Sequence, residues 1–147
     1  MTAQNRENVG RIDHIILIYK NRENQRKAKQ QFSETLKIDD WHEIGEAPEG
    51  LSIVISWQSG IELVYPTTDN PAYQQHLEKY GEGFYAMVFG VADLDESVAH
   101  IENVSGKKPF ILKTTPAPVY EKFDIAREAV VGSLGGSKLL LSEFRKK

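Results

Sequence analysis

Short apolar runs rich in β-branched residues alternate with longer, mostly polar segments along this chain. The first run covers residues 12–19, and its length and composition predict a buried strand instead of an independent helix. Residues 21–37 are polar except at Ala28, Phe32 and Leu36, which recur every four positions. This spacing predicts a helix that packs on its neighbours through one narrow stripe.

The same order of elements occurs a second time along the chain. Strands are predicted after the first helix at residues 41–44, 51–57 and 61–65. Residues 84–91 form another buried run, and Asp93 begins a capping-box pattern that predicts a further helix. Three more predicted strands follow that helix, at residues 109–113, 123–132 and 138–144. Strand, helix and three strands therefore appear twice.

This internal repeat predicts the fold class. Half of the chain would have a one-sided sheet that cannot bury its own apolar face, so the two halves are expected to cover each other or to close around a cavity. We predict one α+β domain over residues 1–147, made of two βαβββ modules. Module one covers about residues 11–66, a linker helix about 70–80, and module two about 83–145.

Composition and charge exclude several classes of function. The chain has 147 residues, a formal charge of −3 and no cysteine. No basic surplus exists to neutralise a phosphate backbone, so nucleic acid is not an expected partner. Disulfides, thiolate catalysis and zinc fingers are excluded, and the sequence has no apolar run long enough for a membrane span. We expect a cytoplasmic protein with no membrane partner.

Several short segments resemble the vicinal oxygen chelate superfamily. These segments are Ile12-Asp13-His14-Ile15, Gly60-Ile61-Glu62-Leu63 followed by Pro66, Gly81-Glu82-Gly83-Phe84, and Asp93-Leu94. The superfamily includes glyoxalases, methylmalonyl-CoA epimerases, extradiol dioxygenases and bleomycin-resistance binding proteins, and the pattern here is closest to the epimerase-like and glyoxalase-like members. The resemblance implies a glyoxalase/dioxygenase-like fold, in which the mixed sheet of two modules forms a cup around the site.

The resemblance also implies where a metal would be held. Metal enzymes of the superfamily take ligands from the first and last strands of both modules, and His14 and Glu62 match these positions in module one. In module two the matching positions carry Ala86 and Leu139, with Glu143 as a substitute if the strand register differs. Since a catalytic divalent ion usually has three protein ligands, a divalent metal is disfavoured and the metal site is expected to be degenerate.

His14 and Glu62 are the candidate catalytic residues. Each lies in a predicted strand with alternating faces, where a lone histidine is ordinarily a hydrogen-bonded core residue and a lone carboxylate is ordinarily solvated. The implied fold brings the two together, and a carboxylate beside an imidazole raises its basicity for acid–base work. A purely structural pairing, in which the two only satisfy each other, remains an equal alternative.

Four aromatic residues are candidates for the wall of a ligand pocket. They are Trp57, Tyr85, Tyr120 and Phe123. Flat apolar ligands need such surfaces around a few polar anchors, although aromatic residues in strands are more often part of the core. Tyr120 and Phe123 belong to a proline-containing loop that could form a rim.

The resemblance supports two classes of function. The first is a small-molecule protein of the glyoxalase-like type with a degenerate metal site, acting as a lyase or isomerase next to a carbonyl. The alternative is a metal-independent binding protein that sequesters its ligand, as bleomycin-resistance proteins do. The resemblance also implies a homodimer, and the edge strands of an open cup favour such pairing.

Overall fold

The computed structural model describes residues 8–112 and 123–146 of the chain. In chain order the elements are β1 (Ile12–Ile18), α1 (Arg22–Leu36), β2 (Trp41–Ala47), β3 (Leu51–Ser56), β4 (Ile61–Pro66), α2 (Pro71–Tyr80), β5 (Gly83–Gly90), α3 (Leu94–Ser105), β6 (Phe110–Leu112), β7 (Phe123–Leu134) and β8 (Ser137–Lys146). Both predicted βαβββ orders are confirmed. None of the helices in the described ranges is long and apolar enough to cross a membrane.

The residues from His14 to Tyr85 form one compact unit, which we call the 14–85 unit. Its strands lie in the order β2-β3-β4-β1, with β1 parallel to β4 and the other neighbours antiparallel. Helix α1 covers one face of this sheet, where Ala28 packs with Val54 and Leu63. The buried Gln25 amide of α1 donates a 2.8 Å hydrogen bond to the Leu63 carbonyl oxygen, which fixes the helix to the sheet.

The second unit takes in the described residues from Ala86 onward and those up to Asp13, and we call it the 86–146 unit. Its strands lie in the order β5-β8-β7-β6, again with the first strand parallel to the last strand of its module. Helix α3 covers one face, where Leu94 and Val98 pack with Ala129 and Leu141. Each unit therefore repeats the same arrangement of one helix on one face of a mixed sheet.

The helix N-termini are capped as the sequence predicts. Asn21 accepts a 2.9 Å hydrogen bond from the backbone N–H of Asn24, and Asp93 accepts one of 3.0 Å from Glu96. Asn70 accepts one of 3.0 Å from Ala72 at the start of α2. These side chains satisfy backbone donors that have no partner within the first helical turn.

The predictions are wrong in three local details. Leu36 is 56% exposed, because α1 ends there, Lys37 turns the chain with a φ of 57°, and Ile38 enters the core instead. Gly45 lies in β2 at a β-bulge with a φ of 81°, a conformation that glycine adopts without strain, so the strand continues to Ala47. Strands β7 and β8 extend beyond the predicted limits and meet in a tighter hairpin around Gly135.

Candidate functional site

His14 and Glu62 lie on the same face of the sheet in the 14–85 unit, opposite the face that α1 covers. Leu17 and Leu63 belong to the cluster packed against α1. Because successive side chains of a strand point to opposite faces, His14 on β1 and Glu62 on β4 point away from the helix. The strand pairing aligns Ile16 with Glu62. His14 is two residues before Ile16 on β1, so it is the next side chain along the same face.

The two side chains are buried and close to each other. His14 is 2% exposed and Glu62 is 6% exposed, and the His14 Nε2 and Glu62 Oε1 atoms are 4.0 Å apart. That distance is too long for a direct hydrogen bond between these atoms but well within electrostatic reach. Since polar groups are costly to bury in an apolar sheet, their joint placement requires a specific arrangement of polar partners around them.

The Trp57 ring lies next to the His14 ring. The pairing of Ile15 with Ile61 places Gly60 beside His14, and the backbone N–H of Ile15 donates a 2.9 Å hydrogen bond to the Gly60 carbonyl oxygen. Trp57 lies in the turn that ends at Gly60, with its ring edge-on to the His14 ring at 6.1 Å between centroids. The structure therefore brings this candidate wall residue next to the candidate histidine.

His42 is a residue of this face to which sequence reasoning assigned no role in the site. It pairs with Ile55, which in turn pairs with Glu62 on its other side. The exposed His42 imidazole therefore lies on the same face as the Glu62 carboxylate, two strands away. The sequence signal for the position of His42 is Gly45, where a β-bulge adds one residue to β2. Without that added residue, Glu43 would pair with Ile55 in place of His42.

In the 86–146 unit, the equivalents of His14 and Glu62 follow from burial and strand pairing. Residues 84–90 of β5 repeat the exposure pattern of β1 position by position, which makes Ala86 the equivalent of His14. Ala86 pairs with Lys138, and the residue two positions farther along β8 is Leu140. In the 14–85 unit, Gly60 lies beside His14, and Glu62 is two positions farther along β4. The strand register therefore corrects the predicted equivalent of Glu62 from Leu139 to Leu140.

Glu143 lies on the opposite face of β8 from Leu140 and has a structural partner. Leu141 packs in the cluster beneath α3, and Glu143 shares its face by alternation. The buried Glu143 Oε1 accepts a 2.8 Å hydrogen bond from the backbone N–H of Leu94 at the start of α3. The prediction of Glu143 as a substitute metal ligand therefore conflicts with its position, because this carboxylate holds a helix N-terminus.

Of the remaining aromatic candidates, two have ring contacts of their own and one lies outside the described residues. Tyr85 is 6% exposed and packs edge-on against His76 at 4.7 Å and against Tyr73 at 6.2 Å between ring centroids. Burial, followed by the nearby Tyr85 and Glu49, raises the pKa of Tyr73 to about 12. In the 86–146 unit, Phe123 stacks on Phe144 at 5.2 Å and belongs to its core. Tyr120 lies outside the described residues.

Among the described residues, the donor set of neither unit fits a divalent metal of the usual kind. The 14–85 unit offers His14 and Glu62, whereas the equivalent positions of the 86–146 unit carry Ala86 and Leu140, which have no donor atom. No group of three or more His, Asp or Glu side chains suited to a metal occurs within residues 8–112 and 123–146. Two ligands are fewer than the three protein ligands on which catalytic zinc and related ions depend.

Comparison with solved structures shows which proteins share this fold. A methylmalonyl-CoA epimerase in complex with methylmalonyl-CoA and NH4+ superimposes with a TM-score of 0.67 and 21% identity, covering 91% of this chain and 94% of the other. A variant Streptomyces coelicolor methylmalonyl-CoA epimerase in complex with 2-nitronate-propionyl-CoA gives the same four values. The Mycobacterium tuberculosis enzyme gives 0.65 and 18%, covering 97% and 91%.

These likenesses confirm the predicted fold. Methylmalonyl-CoA epimerases belong to the vicinal oxygen chelate superfamily, so the chain has the fold that its sequence motifs resemble. At 18–21% identity the comparison concerns the fold. No protein-family model and no curated protein matches this sequence.

Proposed function

We propose that this protein is a small-molecule isomerase or lyase of the vicinal oxygen chelate type that moves a proton next to a carbonyl group without a complete metal centre. The observation that carries the proposal is the buried His14–Glu62 pair on the sheet face opposite α1, with 4.0 Å between Nε2 and Oε1. The shared fold of the methylmalonyl-CoA epimerases supports the same class of chemistry.

The pair can carry out both halves of such a proton transfer. A carboxylate such as Glu62 accepts a proton from the carbon beside the carbonyl, while the electron pair of that C–H bond moves to the carbonyl oxygen. An imidazole N–H beside it donates a hydrogen bond that stabilises this developing negative charge. Return of a proton to the opposite face of that carbon, or to the neighbouring carbon of the enediolate, completes an isomerisation with no net change in atoms or electrons, whereas return to the same face only exchanges the hydrogen with solvent.

The direct test is exchange of the substrate proton for deuterium. Methylmalonyl-CoA, the ligand of one structural neighbour, is incubated with the protein in D2O, and the hemithioacetal of methylglyoxal and glutathione serves as a second probe. We expect exchange by the wild-type protein and a loss of about 10²–10⁴-fold in Glu62→Gln and in His14→Gln. Binding of the probes should change by no more than about tenfold.

Glu46→Gln is the matched control. This carboxylate lies in β2 of the same sheet but pairs with Ser52, which shares the α1 face with Val54. Its removal changes the net charge as Glu62→Gln does and should leave exchange unaltered. Equal losses in Glu46→Gln and Glu62→Gln would contradict a site on the His14 face.

Metal independence is tested separately. Protein purified without chelators is analysed for metal content and titrated with Mn²⁺, Ni²⁺ and Zn²⁺. We expect no stoichiometric binding at micromolar metal, because two donors hold a divalent ion weakly. Stoichiometric binding that His14→Ala abolishes would show that further ligands complete the site.

Binding without turnover is the second candidate function. It is favoured by the apolar Ala86 and Leu140 at the positions equivalent to His14 and Glu62, and by the Trp57 ring beside His14. A sequestering protein consumes no probe, and Trp57→Ala should then weaken ligand binding more than His14→Ala does.

A further inference from the structure

The Asp40 carboxylate holds both residues that flank Trp57 in the chain. Its Oδ1 accepts a 2.6 Å hydrogen bond from the Ser56 hydroxyl, and its Oδ2 accepts one of 3.1 Å from the backbone N–H of Gln58. Trp57 is the residue between these two donors. One side chain therefore fixes the backbone on each side of the aromatic residue.

The rest of this turn is held by its own residues and by β1. The buried Ser56 Oγ also accepts a 3.2 Å hydrogen bond from the Ser59 N–H, and the Ser56 carbonyl oxygen accepts one of 2.9 Å from the Gly60 N–H. The Gly60 carbonyl oxygen accepts the 2.9 Å hydrogen bond from Ile15. These bonds close the turn and join it to β1, and Asp40 adds an anchor from the residue before β2.

The position of Trp57 bears on the geometry of the His14–Glu62 pair. The Trp57 and His14 rings meet edge-on, with an interplanar angle of 76° and 6.1 Å between centroids, which is an ordinary distance for a packed aromatic pair. The torsion that turns a histidine ring about its bond to Cβ has broad minima. A ring packed against the imidazole restricts this rotation, which would otherwise carry Nε2 away from its place 4.0 Å from Glu62 Oε1.

A carboxylate suits this anchoring task better than an amide does. Ionised Asp40 offers an acceptor oxygen to each donor, whereas asparagine has one acceptor oxygen and an NH2 group that only donates. Hydrogen bonds to an ionised acceptor are also stronger than those between neutral groups. Replacement of Asp40 by asparagine therefore releases one of the two flanking residues and weakens the hold on the other.

We propose that Asp40 is a positioning residue, which holds Trp57 against the His14 imidazole and thereby keeps Nε2 directed at Glu62. The proposal rests on the proton transfer proposed for the His14–Glu62 pair. Asp40 acts through Trp57, so its loss should lower the rate of proton transfer more than the affinity for substrate. A displacement of about 1 Å in a reacting group can cost about 100-fold in rate.

The kinetics of deuterium exchange test the positioning role. With methylmalonyl-CoA as the probe, Asp40→Asn should lower kcat about tenfold or more and change KM by no more than about threefold. Ser56→Ala removes the other partner of the 2.6 Å hydrogen bond and should lower kcat in the same way. Melting curves establish that both variants are folded at the assay temperature.

Glu82→Gln is the matched control for the loss of an anchoring carboxylate. Glu82 Oε2 also accepts two hydrogen bonds within the 14–85 unit, at 2.8 Å each, from the Lys20 N–H and the Asn24 amide. Its partners lie at the beginning of α1 and not in the turn that carries Trp57. Glu82→Gln should therefore keep kcat and KM within about twofold of the wild-type values.

A double-mutant cycle shows whether Asp40 acts through Trp57. Trp57→Ala should itself lower kcat, because the imidazole loses its packing partner. Adding Asp40→Asn to Trp57→Ala should then change kcat by less than about twofold, although it still lowers Tm. A merely structural role of Asp40 would give the same loss of kcat with and without the Trp57 ring.

Proton NMR measures the contact itself, independently of turnover. A nuclear Overhauser effect (NOE) between the Trp57 and His14 ring protons should be present in the wild-type protein and in Glu82→Gln, and absent in Asp40→Asn. An unchanged NOE in Asp40→Asn, equal losses of kcat with and without Trp57, or a loss matched by Glu82→Gln would overturn the positioning role. Absence of exchange in the wild-type protein would instead refute the proposed function, and the NOE would still decide whether Asp40 holds Trp57 on His14.

Discussion

Replacing Glu143 by alanine tests the assignment of this carboxylate to the start of α3. The change removes the acceptor of the 2.8 Å hydrogen bond from the Leu94 N–H, in a position where Leu94 is fully buried. A hydrogen bond to a charged group contributes about 1.5–3 kcal/mol, and a negative charge at a helix N-terminus adds about 0.3–1 kcal/mol. We expect Glu143→Ala to lower the free energy of unfolding by about 2–4 kcal/mol.

Urea and thermal unfolding followed by circular dichroism measure this loss. For a chain of this size the expected fall in Tm is about 5–15 °C. Glu143→Gln retains an acceptor oxygen without the charge and should lose only about 1 kcal/mol. Glu102→Ala removes an exposed carboxylate from the same helix and should change stability by less than about 0.5 kcal/mol.

The functional readout of Glu143→Gln separates the helix cap from a ligand or catalytic role. Since Glu143 lies on the face of β8 opposite Leu140, deuterium exchange and metal binding should be those of the wild-type protein. Unchanged stability in Glu143→Ala, or loss of exchange in a fully stable Glu143→Gln, would refute the reasoning. In that event the strand register, and with it the assignment of Leu140, would have to be revised.

Three further predictions concern polar side chains with identified partners or environments. Gln25→Ala should lower stability in urea by about 1–3 kcal/mol, because the Leu63 carbonyl loses its donor; a loss under about 0.5 kcal/mol would contradict this. Burial alone would raise the pKa of Asp40, but hydrogen bonds from the Ser56 hydroxyl and the Gln58 N–H lower it below its usual range. The ionised Asp40 carboxylate therefore stabilises the folded protein at pH values above the ordinary aspartate pKa, and this stabilisation is lost as pH falls through the lowered pKa. The difference in free energy of unfolding between wild type and Asp40→Asn should therefore shrink in acid. Burial raises the pKa of Tyr73 to about 12, so wild-type stability should fall as pH rises from about 10 to about 12, and Tyr73→Phe should flatten that part of the profile.

Local sequence signals were sufficient for the order of the elements. The repeated order of strands and helices followed from apolar runs of strand length, a four-residue spacing, and capping residues such as Asn21 and Asp93. These signals act within a few residues of chain and are therefore legible without tertiary information. The alternation along β1 and β4 likewise predicted which neighbours share a face with His14 and with Glu62.

Strand register was the part that local signals could not supply. The bulge at Gly45 adds one residue to β2, which places His42 opposite Ile55 where unbroken pairing would place Glu43. In β8, a single step decides between Leu139 and Leu140, because side chains alternate with a period of two. Both outcomes depend on which residues of another strand a position pairs with.

What the sequence by itself determined is the order of the elements, because periodicity and capping are properties of neighbouring residues, whereas His14 and Glu62 were singled out through motifs that resemble a known superfamily. What only the tertiary structure decided is the distance between His14 and Glu62, the position of Trp57 across Gly60, and the use of Glu143 to hold α3. These features join residues that are 43–49 positions apart in the chain. The backbone pairing that brings them together is selected by burial over the whole sheet and not by any local pattern.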